Sequence, residues 1–184
     1  MVFYVRSQDK PEVGAELDRL GEAHWSYMDR FADRLVLRGP TLSADGSEHT
    51  GSIHVVDMDD RASAERFATQ EPFWQAGLYE EFTAVRAVVL LREVADPDIP
   101  HSLVTARWPP LPRTADDTDP RLQDDRLSSL LLLVDDDGSR TTGVVATVRA
   151  LPDEAPGLVQ PFADRLTGGP VALTAQRWSR GGRS

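Results

Sequence analysis

One stretch of the chain occurs twice, and this limits the fold more than any other feature. The run Asp45-Gly46-Ser47-Glu48-His49-Thr50-Gly51-Ser52-Ile53-His54-Val55-Val56 is echoed by Asp137-Gly138-Ser139-Arg140-Thr141-Thr142-Gly143-Val144-Val145-Ala146-Thr147-Val148. Each copy has an Asp-Gly pair, a short polar link, Thr-Gly, and then a run rich in β-branched residues. Asp-Gly favours the positive φ of a tight hairpin turn, and the following run suits a pleated, half-buried surface. The flanks repeat as well. An apolar run precedes each copy (Leu35-Val36-Leu37; Leu130 to Val134), and a helix-like segment with a second apolar run follows each (Ala87 to Leu91; Val171-Ala172-Leu173). Self-similarity at this scale predicts two copies of one α+β unit joined head to tail. The expected division is residues 1–93, a polar, proline-bearing linker at 94–100, and residues 101–184. Units this small are marginal alone, so a shared core is expected.

In the first unit, Val2-Phe3-Tyr4-Val5-Arg6 is a β-type run ending at the turn signal Ser7-Gln8-Asp9. Pro11 and Glu12 suit the first turn of a helix, where a missing N–H costs nothing and a carboxylate meets the positive end of the dipole. Val13, Leu17, Leu20, His24, Met28 and Phe31 then recur at helical spacing as one stripe. His24 is the anomaly, a titratable ring on an apolar face. Leu35 to Arg38 reads as a second strand broken by Gly39-Pro40, and Ser52 to Met58 as a third. Asp59 or Asp60 suits the N-cap of a helix through Gln70, with Ala64, Phe67 and Ala68 inward. Glu71-Pro72-Phe73 starts another helix, with a carboxylate at the cap and proline at the first position, running to Leu78. Phe82 to Leu91 closes the unit in the order βαββαβ, the ferredoxin-like arrangement.

The second unit restarts with a strand at Leu103 to Trp108. Pro109 to Asp125, acidic and proline-bearing, stands where the long helix would be; a turn or two around Leu122 is the only structure expected there. A helix opens near Pro152-Asp153-Glu154 with Leu158, Val159, Phe162 and Leu166 inward, weakened by Pro156, Gly157 and Pro161. Gly168-Gly169 ends it, Val171 to Trp178 is the last strand, and residues 180–184 form a frayed tail. Counting back from the second Asp-Gly by the interval that separates His24 from Asp45 lands on Asp116. No histidine follows Pro109, and Gln160 stands before Pro161-Phe162 where Glu71 precedes Pro72-Phe73. The second unit therefore reads as a degenerate copy kept for packing, with one candidate site per chain.

Composition narrows the function. The net charge is −10, and neither half is basic: residues 1–93 carry 10 basic and 17 acidic groups, residues 94–184 carry 10 and 13. That argues against nucleic acid as a partner. There is no cysteine, so disulfide and thiolate chemistry are excluded. No apolar run approaches the roughly 20 residues of a membrane helix, and no secretory signal is present, so no membrane partner and a cytoplasmic location are expected.

His24 in the first helix, Gly39-Pro40 after the second strand, Gly51 before the third, Ala64 in the second helix, and Glu71-Pro72-Phe73 with Ala76-Gly77-Leu78 form an ordered set. Through it the first unit resembles the YciI-like (YCII-related) family of the dimeric α+β barrel superfamily, over about residues 2–92. The resemblance implies an α+β fold in which two ferredoxin-like units face each other through their sheets. Here they would be tandem units forming a pseudo-dimeric α+β barrel, as a monomer or a homodimer. It also implies a site built on a histidine and an aspartate. His24 matches the histidine, Glu71 stands where the aspartate would be, and position 21 is glycine where an arginine is often found.

An imidazole gives and takes protons near neutrality, and a carboxylate within reach would fix its tautomer. On this reading His24 is the acid/base and Glu71 its orienting partner, with Gly39, Pro40, His54 and Phe73 lining the place where a small organic molecule binds. The bland alternatives are a core histidine bonded to a backbone carbonyl and a Glu71 that only caps its helix. His49 reads as a solvated turn residue. His24, His54 and Glu71 could also make a two-histidine, one-carboxylate set, but their spacing is not diagnostic, and neither metal nor cofactor is assigned. The resemblance implies a cofactor-independent reaction of lyase, isomerase, cyclase or dehalogenase type. The alternative is a non-catalytic small-molecule-binding or accessory protein of a biosynthetic pathway.

Overall fold

The structure is a computed structural model, and it describes residues 1–92, 99, 101–119 and 124–182. The chain divides into two compact units, Met1–Ala84 with the tail from Arg180, and Val85–Ser179. The proposed linker at 94–100 and the turn around Leu122 fall almost wholly outside the described residues.

The first unit contains β1 (Val2–Asp9), α1 (Gly14–Asp29), β2 (Leu35–Leu42), β3 (His49–Asp57), α2 (Arg61–Thr69), α3 (Pro72–Gln75) and the start of β4 (Tyr79–Arg92). β3 is antiparallel to both β1 and β2, with Tyr4 opposite Val55 and Arg38 opposite His54. Its core gathers Phe3, Val5, Tyr27, Met28, Val56, Met58, Ala64, Phe67 and Ala68 from both sheet and helices. Asp60 caps α2, its carboxylate accepting from the Ser63 N–H at 2.7 Å.

Three local expectations change. The first helix begins at Gly14, not at Pro11, because Glu12 adopts a positive φ of 61° that no helical turn accommodates. β1 runs on through Ser7-Gln8-Asp9, and β2 runs on through Gly39-Pro40, which lie opposite Ile53 and Ser52. Proline keeps a φ compatible with extended backbone, and only its N–H is missing from the ladder. Turn-forming composition is overridden here by a partner strand.

The second unit contains the end of β4, then β5 (His101–Pro112), a 3-10 turn (Ala115–Thr118), β6 (Leu127–Val134), β7 (Arg140–Val148), α4 (Ala155–Thr167) and β8 (Thr174–Trp178). β7 lies between β5 and β6, β5 also pairs with β8, and β6 pairs with the Ala87–Arg92 part of β4, all antiparallel. Among the described residues, the 3-10 turn stands where the first unit has its long first helix. β5, however, passes through Pro109-Pro110, where the register with β7 shifts between Arg107 and Leu111. An irregularity in the ladder is where a strand tolerates proline. α4 tolerates Pro156 in its first turn, keeps Pro161 inside it, and ends at Gly168 with φ 72°. The core of this unit is Val104, Ala106, Trp108, Leu127, Leu130, Val144, Ala146, Val148, Ala155, Val159, Phe162 and Ala163.

The fold is thus α+β with two ferredoxin-like units in tandem, the class expected from the repeat. Among the described residues no helix is long and apolar enough to cross a membrane.

Candidate functional site

α1 turns the stripe Leu17, His24, Met28 inward, so the imidazole is buried with the apolar residues around it. α3 brings the carboxylate. Glu71 is the extended residue before that helix, and its Oε1 accepts from the Trp74 N–H at 2.6 Å. The second oxygen, Oε2, lies 2.9 Å from His24 Nδ1. Only 3% of the Glu71 side chain and 11% of the His24 side chain are exposed. One carboxylate therefore caps a helix and grips a histidine together, so the two readings of Glu71 coexist.

A carboxylate on Nδ1 makes that nitrogen the N–H donor and leaves the lone pair on Nε2. Phe73, the second residue of α3, stacks on the imidazole with ring centroids 4.3 Å apart and planes within 3°. An aromatic face also favours the ring when it carries a proton. His54 stands at 5.9 Å on another side, with Phe67 edge-on to it. His101 shows what the bland alternative looks like: its Nδ1 meets the backbone carbonyl of Ile99 at 2.6 Å.

The surroundings fix which groups carry charge. Burial holds the His54 imidazole well below the usual histidine range, helped by the charges of His24, Arg38 and His49, so it is neutral at pH 7. Burial pushes the Tyr79 phenol well above its ordinary value, and the negative charges of Glu71 and Asp9 add to this. Tyr27 is raised by burial and by Glu71 against the opposing pull of Arg30; its hydroxyl donates to the Phe67 carbonyl at 3.0 Å.

His24, Glu71, Phe73 and His54 come together as one cluster. Gly39 and Pro40 lie on β2, and Gly181 of the tail packs so closely on Gly39 that a Cβ there would come within 2.9 Å of the Gly39 Cα. Among the described residues the hydrogen bonds and ring contacts that join the cluster do not extend to those two. No cluster of three or more His, Asp or Glu suited to a metal occurs among the described residues. His49 differs from expectation. It is the first residue of β3, its side chain is one-quarter exposed, and its Nδ1 lies 2.5 Å from Asp9 Oδ2. Sequence reasoning missed this pair and Tyr79. The available signal was Asp9 itself, a carboxylate closing an apolar run, but its partner lies 40 positions away.

Residues 1–87 match the model of the YCII-related domain. The match spans residues 1–84 of the first unit. No curated protein matches the chain at a significant level. Among solved structures, the 5-chloro-2-hydroxyhydroquinone dehydrochlorinase TftG of Burkholderia phenoliruptrix AC1100, in complex with 2,5-dihydroxybenzoquinone, is 26% identical. It covers 47% of this chain and 92% of its own, with a TM-score of 0.45. Two chains each named "putative monooxygenase" match over 97% of this one. The first, from Lactobacillus acidophilus NCFM, is 12% identical over 93% of its own length with a TM-score of 0.57. The second, from Fusobacterium nucleatum subsp. nucleatum ATCC 25586, is 9% identical over 91% with a TM-score of 0.56. At such identities these two share the fold alone, and they share it along almost the whole chain.

Proposed function

We propose that the YCII-related unit is a cofactor-independent acid–base catalyst acting on a small organic molecule, in a reaction of lyase, isomerase, cyclase or dehalogenase type. His24 Nε2 takes a proton from the substrate, and Glu71 holds the Nδ1–H and stabilises the imidazolium that forms. Phe73 and the neutral His54 flank the ring and bind the substrate, with Gly39 and Pro40 contributing backbone from β2. The observation that carries this reading is the 2.9 Å approach of Glu71 Oε2 to a buried imidazole. Burying a titratable ring against a carboxylate costs desolvation that an apolar side chain on the same stripe would avoid. A proton-transfer role accounts for that cost. The reading keeps one site per chain, on residues 1–93, in a cytoplasmic monomer or homodimer.

The test is a screen of lactones, enones and aromatic acids for turnover, followed by His24→Gln on any substrate found. A positioned acid–base group contributes about 10²- to 10⁴-fold, and a loss of that size is expected with the fold unchanged by circular dichroism. A substrate processed equally well by His24→Gln would remove the proposal. The Glu71 cap favours a second reading, non-catalytic binding, because half of the carboxylate is committed to the Trp74 N–H. Binding without turnover, retained in His24→Gln, would support it.

A further inference from the structure

A second histidine–carboxylate pair lies in the first unit. Asp9 ends β1 with its side chain 4% exposed, and its Oδ2 meets His49 Nδ1 at 2.5 Å. The other imidazole nitrogen, Nε2, lies 3.4 Å from Ser52 Oγ, and Ser52 Oγ accepts from the Tyr79 hydroxyl at 3.0 Å. Ser52 and Tyr79 are each 4% exposed, whereas the His49 side chain is 25% exposed. The four groups thus form a line from the surface to the interior. At its inner end, the Tyr79 ring stands edge-on to Phe73 at 5.9 Å, and Phe73 is the ring stacked on His24.

The donors along this line run one way. A carboxylate on Nδ1 makes that nitrogen the N–H side and leaves Nε2 as an acceptor. Tyr79 fills one lone pair of Ser52 Oγ, which frees the serine proton to point at Nε2. A serine beside a histidine also suggests an acyl-transfer nucleophile, but the geometry argues against one. Ser52 lies within β3, flanked by Ser7 on β1 and Pro40 on β2. A central strand position leaves no spare backbone N–H to stabilise an oxyanion. The other oxygen of Asp9, Oδ1, is buried with no hydrogen-bond partner. A buried acceptor left unpaired is costly.

We propose that Asp9, His49, Ser52 and Tyr79 form a proton relay that resupplies the Tyr79 hydroxyl from solvent, making Tyr79 the acid that complements His24 as base. When Tyr79 gives its proton to a substrate atom that has gained negative charge, Ser52 passes its own hydroxyl proton to the Tyr79 oxygen. As the serine proton turns away, the freed lone pair on His49 Nε2 takes a proton from water and passes it to Ser52. The net change is one proton moved from water through His49 to the substrate. Burial and the nearby carboxylates keep Tyr79 protonated at rest, as an acid requires. A base stacked on Phe73 and an acid edge-on to it suit substrates that lose a proton at one atom and gain one at another, such as isomerisable enones or enolisable ring compounds. The relay deepens the proposed function and rests on it only for the word acid; its existence as a proton path is testable by itself.

The experiment is NMR measurement of Tyr79 hydroxyl exchange with solvent, by the hydrogen/deuterium isotope shift at its ring carbon, in the full chain without substrate. Because general-base assistance is worth about a hundredfold or more, His49→Gln should slow the exchange by roughly that factor. Added imidazole should restore it. Ser52→Ala should slow it likewise, and Ser52→Thr, which keeps the hydroxyl, should not. His24→Gln should leave it unchanged, which separates the relay from the role of His24. Exchange at the wild-type rate in both His49→Gln and Ser52→Ala would overturn the relay whatever His24 does. Should His49→Gln fail to fold, the Ser52 pair of variants decides the question alone.

Discussion

The two copies of the Asp-Gly hairpin agree almost atom for atom, while the residues around them have parted. In the first, the Gly46 N–H donates to the Ser43 carbonyl at 2.9 Å and the Ser47 N–H to Asp45 Oδ1 at 3.1 Å. In the second, Gly138 donates to Asp135 at 3.0 Å and Ser139 to Asp137 Oδ1 at 2.8 Å. Gly51 and Gly143 match as well, each so close to a neighbouring strand that a Cβ would strike the carbonyl oxygen of Ser7 or of Ala106. Beyond that glycine the likeness stops. Register places Asp9 and His49 where the second unit has Trp108 and Thr141, which are joined by an indole N–H bond of 3.2 Å. Ser52 corresponds to Val144 and His54 to Ala146, both members of an apolar core. The counterpart of His24 is the exposed Asp116 on the 3-10 turn. Gln160, in the place of Glu71, bonds Asp164 and the Val171 carbonyl instead. Backbone geometry is needed by any copy that folds, whereas buried polar groups are costly and persist where something uses them.

Four measurements would break or sharpen that contrast. The largest difference should appear in turnover. His24→Gln is expected to lower it about 10²- to 10⁴-fold, whereas His101→Gln should leave the rate per folded molecule unchanged; equal losses would erase the asymmetry. Next, Gly51→Ala and Gly143→Ala should each destabilise by about 3 kcal/mol or more, since both force a strand apart. Denaturant midpoints would show this, and a tolerated substitution at one site would mean that the glycines are not equivalent.

A third test concerns His54, for which the second unit has an alanine. Its folded pKa is depressed, so the unfolded chain binds the extra proton first as the pH falls. Stability is complete above the ordinary histidine value of about 6.5 and declines below it, at no more than about 1.4 kcal/mol per pH unit for one proton. His54→Leu should flatten that part of the stability–pH curve, and an unaltered slope between pH 7 and 5 would count against a buried neutral ring. The smallest effect lies in the turns. Hydrogen bonds from Ser43 and Ser47 hold the Asp45 carboxyl down to about 2, and Ser139 lowers Asp137 in the same way. Both should titrate below an ordinary aspartate in carbon-detected NMR. Whatever these bonds contribute is present above the ordinary carboxyl value near 4 and lost as the pH falls through about 2. A normal midpoint at one of them would show that the hairpins differ after all.

Much of the fold was legible because it is written locally. The duplicated Asp-Gly turns, the stripe carrying His24, the Asp60 cap and the Glu71-Pro72 helix start each depend on residues within a turn or two of one another. The misjudged elements were those where long-range pairing overrides local preference. β2 runs through Gly39-Pro40 and β5 through Pro109-Pro110 because a partner strand is there to hold them. The start of α1 was misplaced by one residue's backbone, the positive φ of Glu12.

The candidate site divides along the same line. By itself the sequence determined that a titratable ring would sit on an inward helical face and that a carboxylate would open a short helix. Only the tertiary structure decided that these meet across 47 positions, and that Asp9 finds His49 across 40. Periodicity and capping are set by neighbours along the chain. A hydrogen bond between distant side chains depends on where two separate elements are packed, which no local pattern encodes.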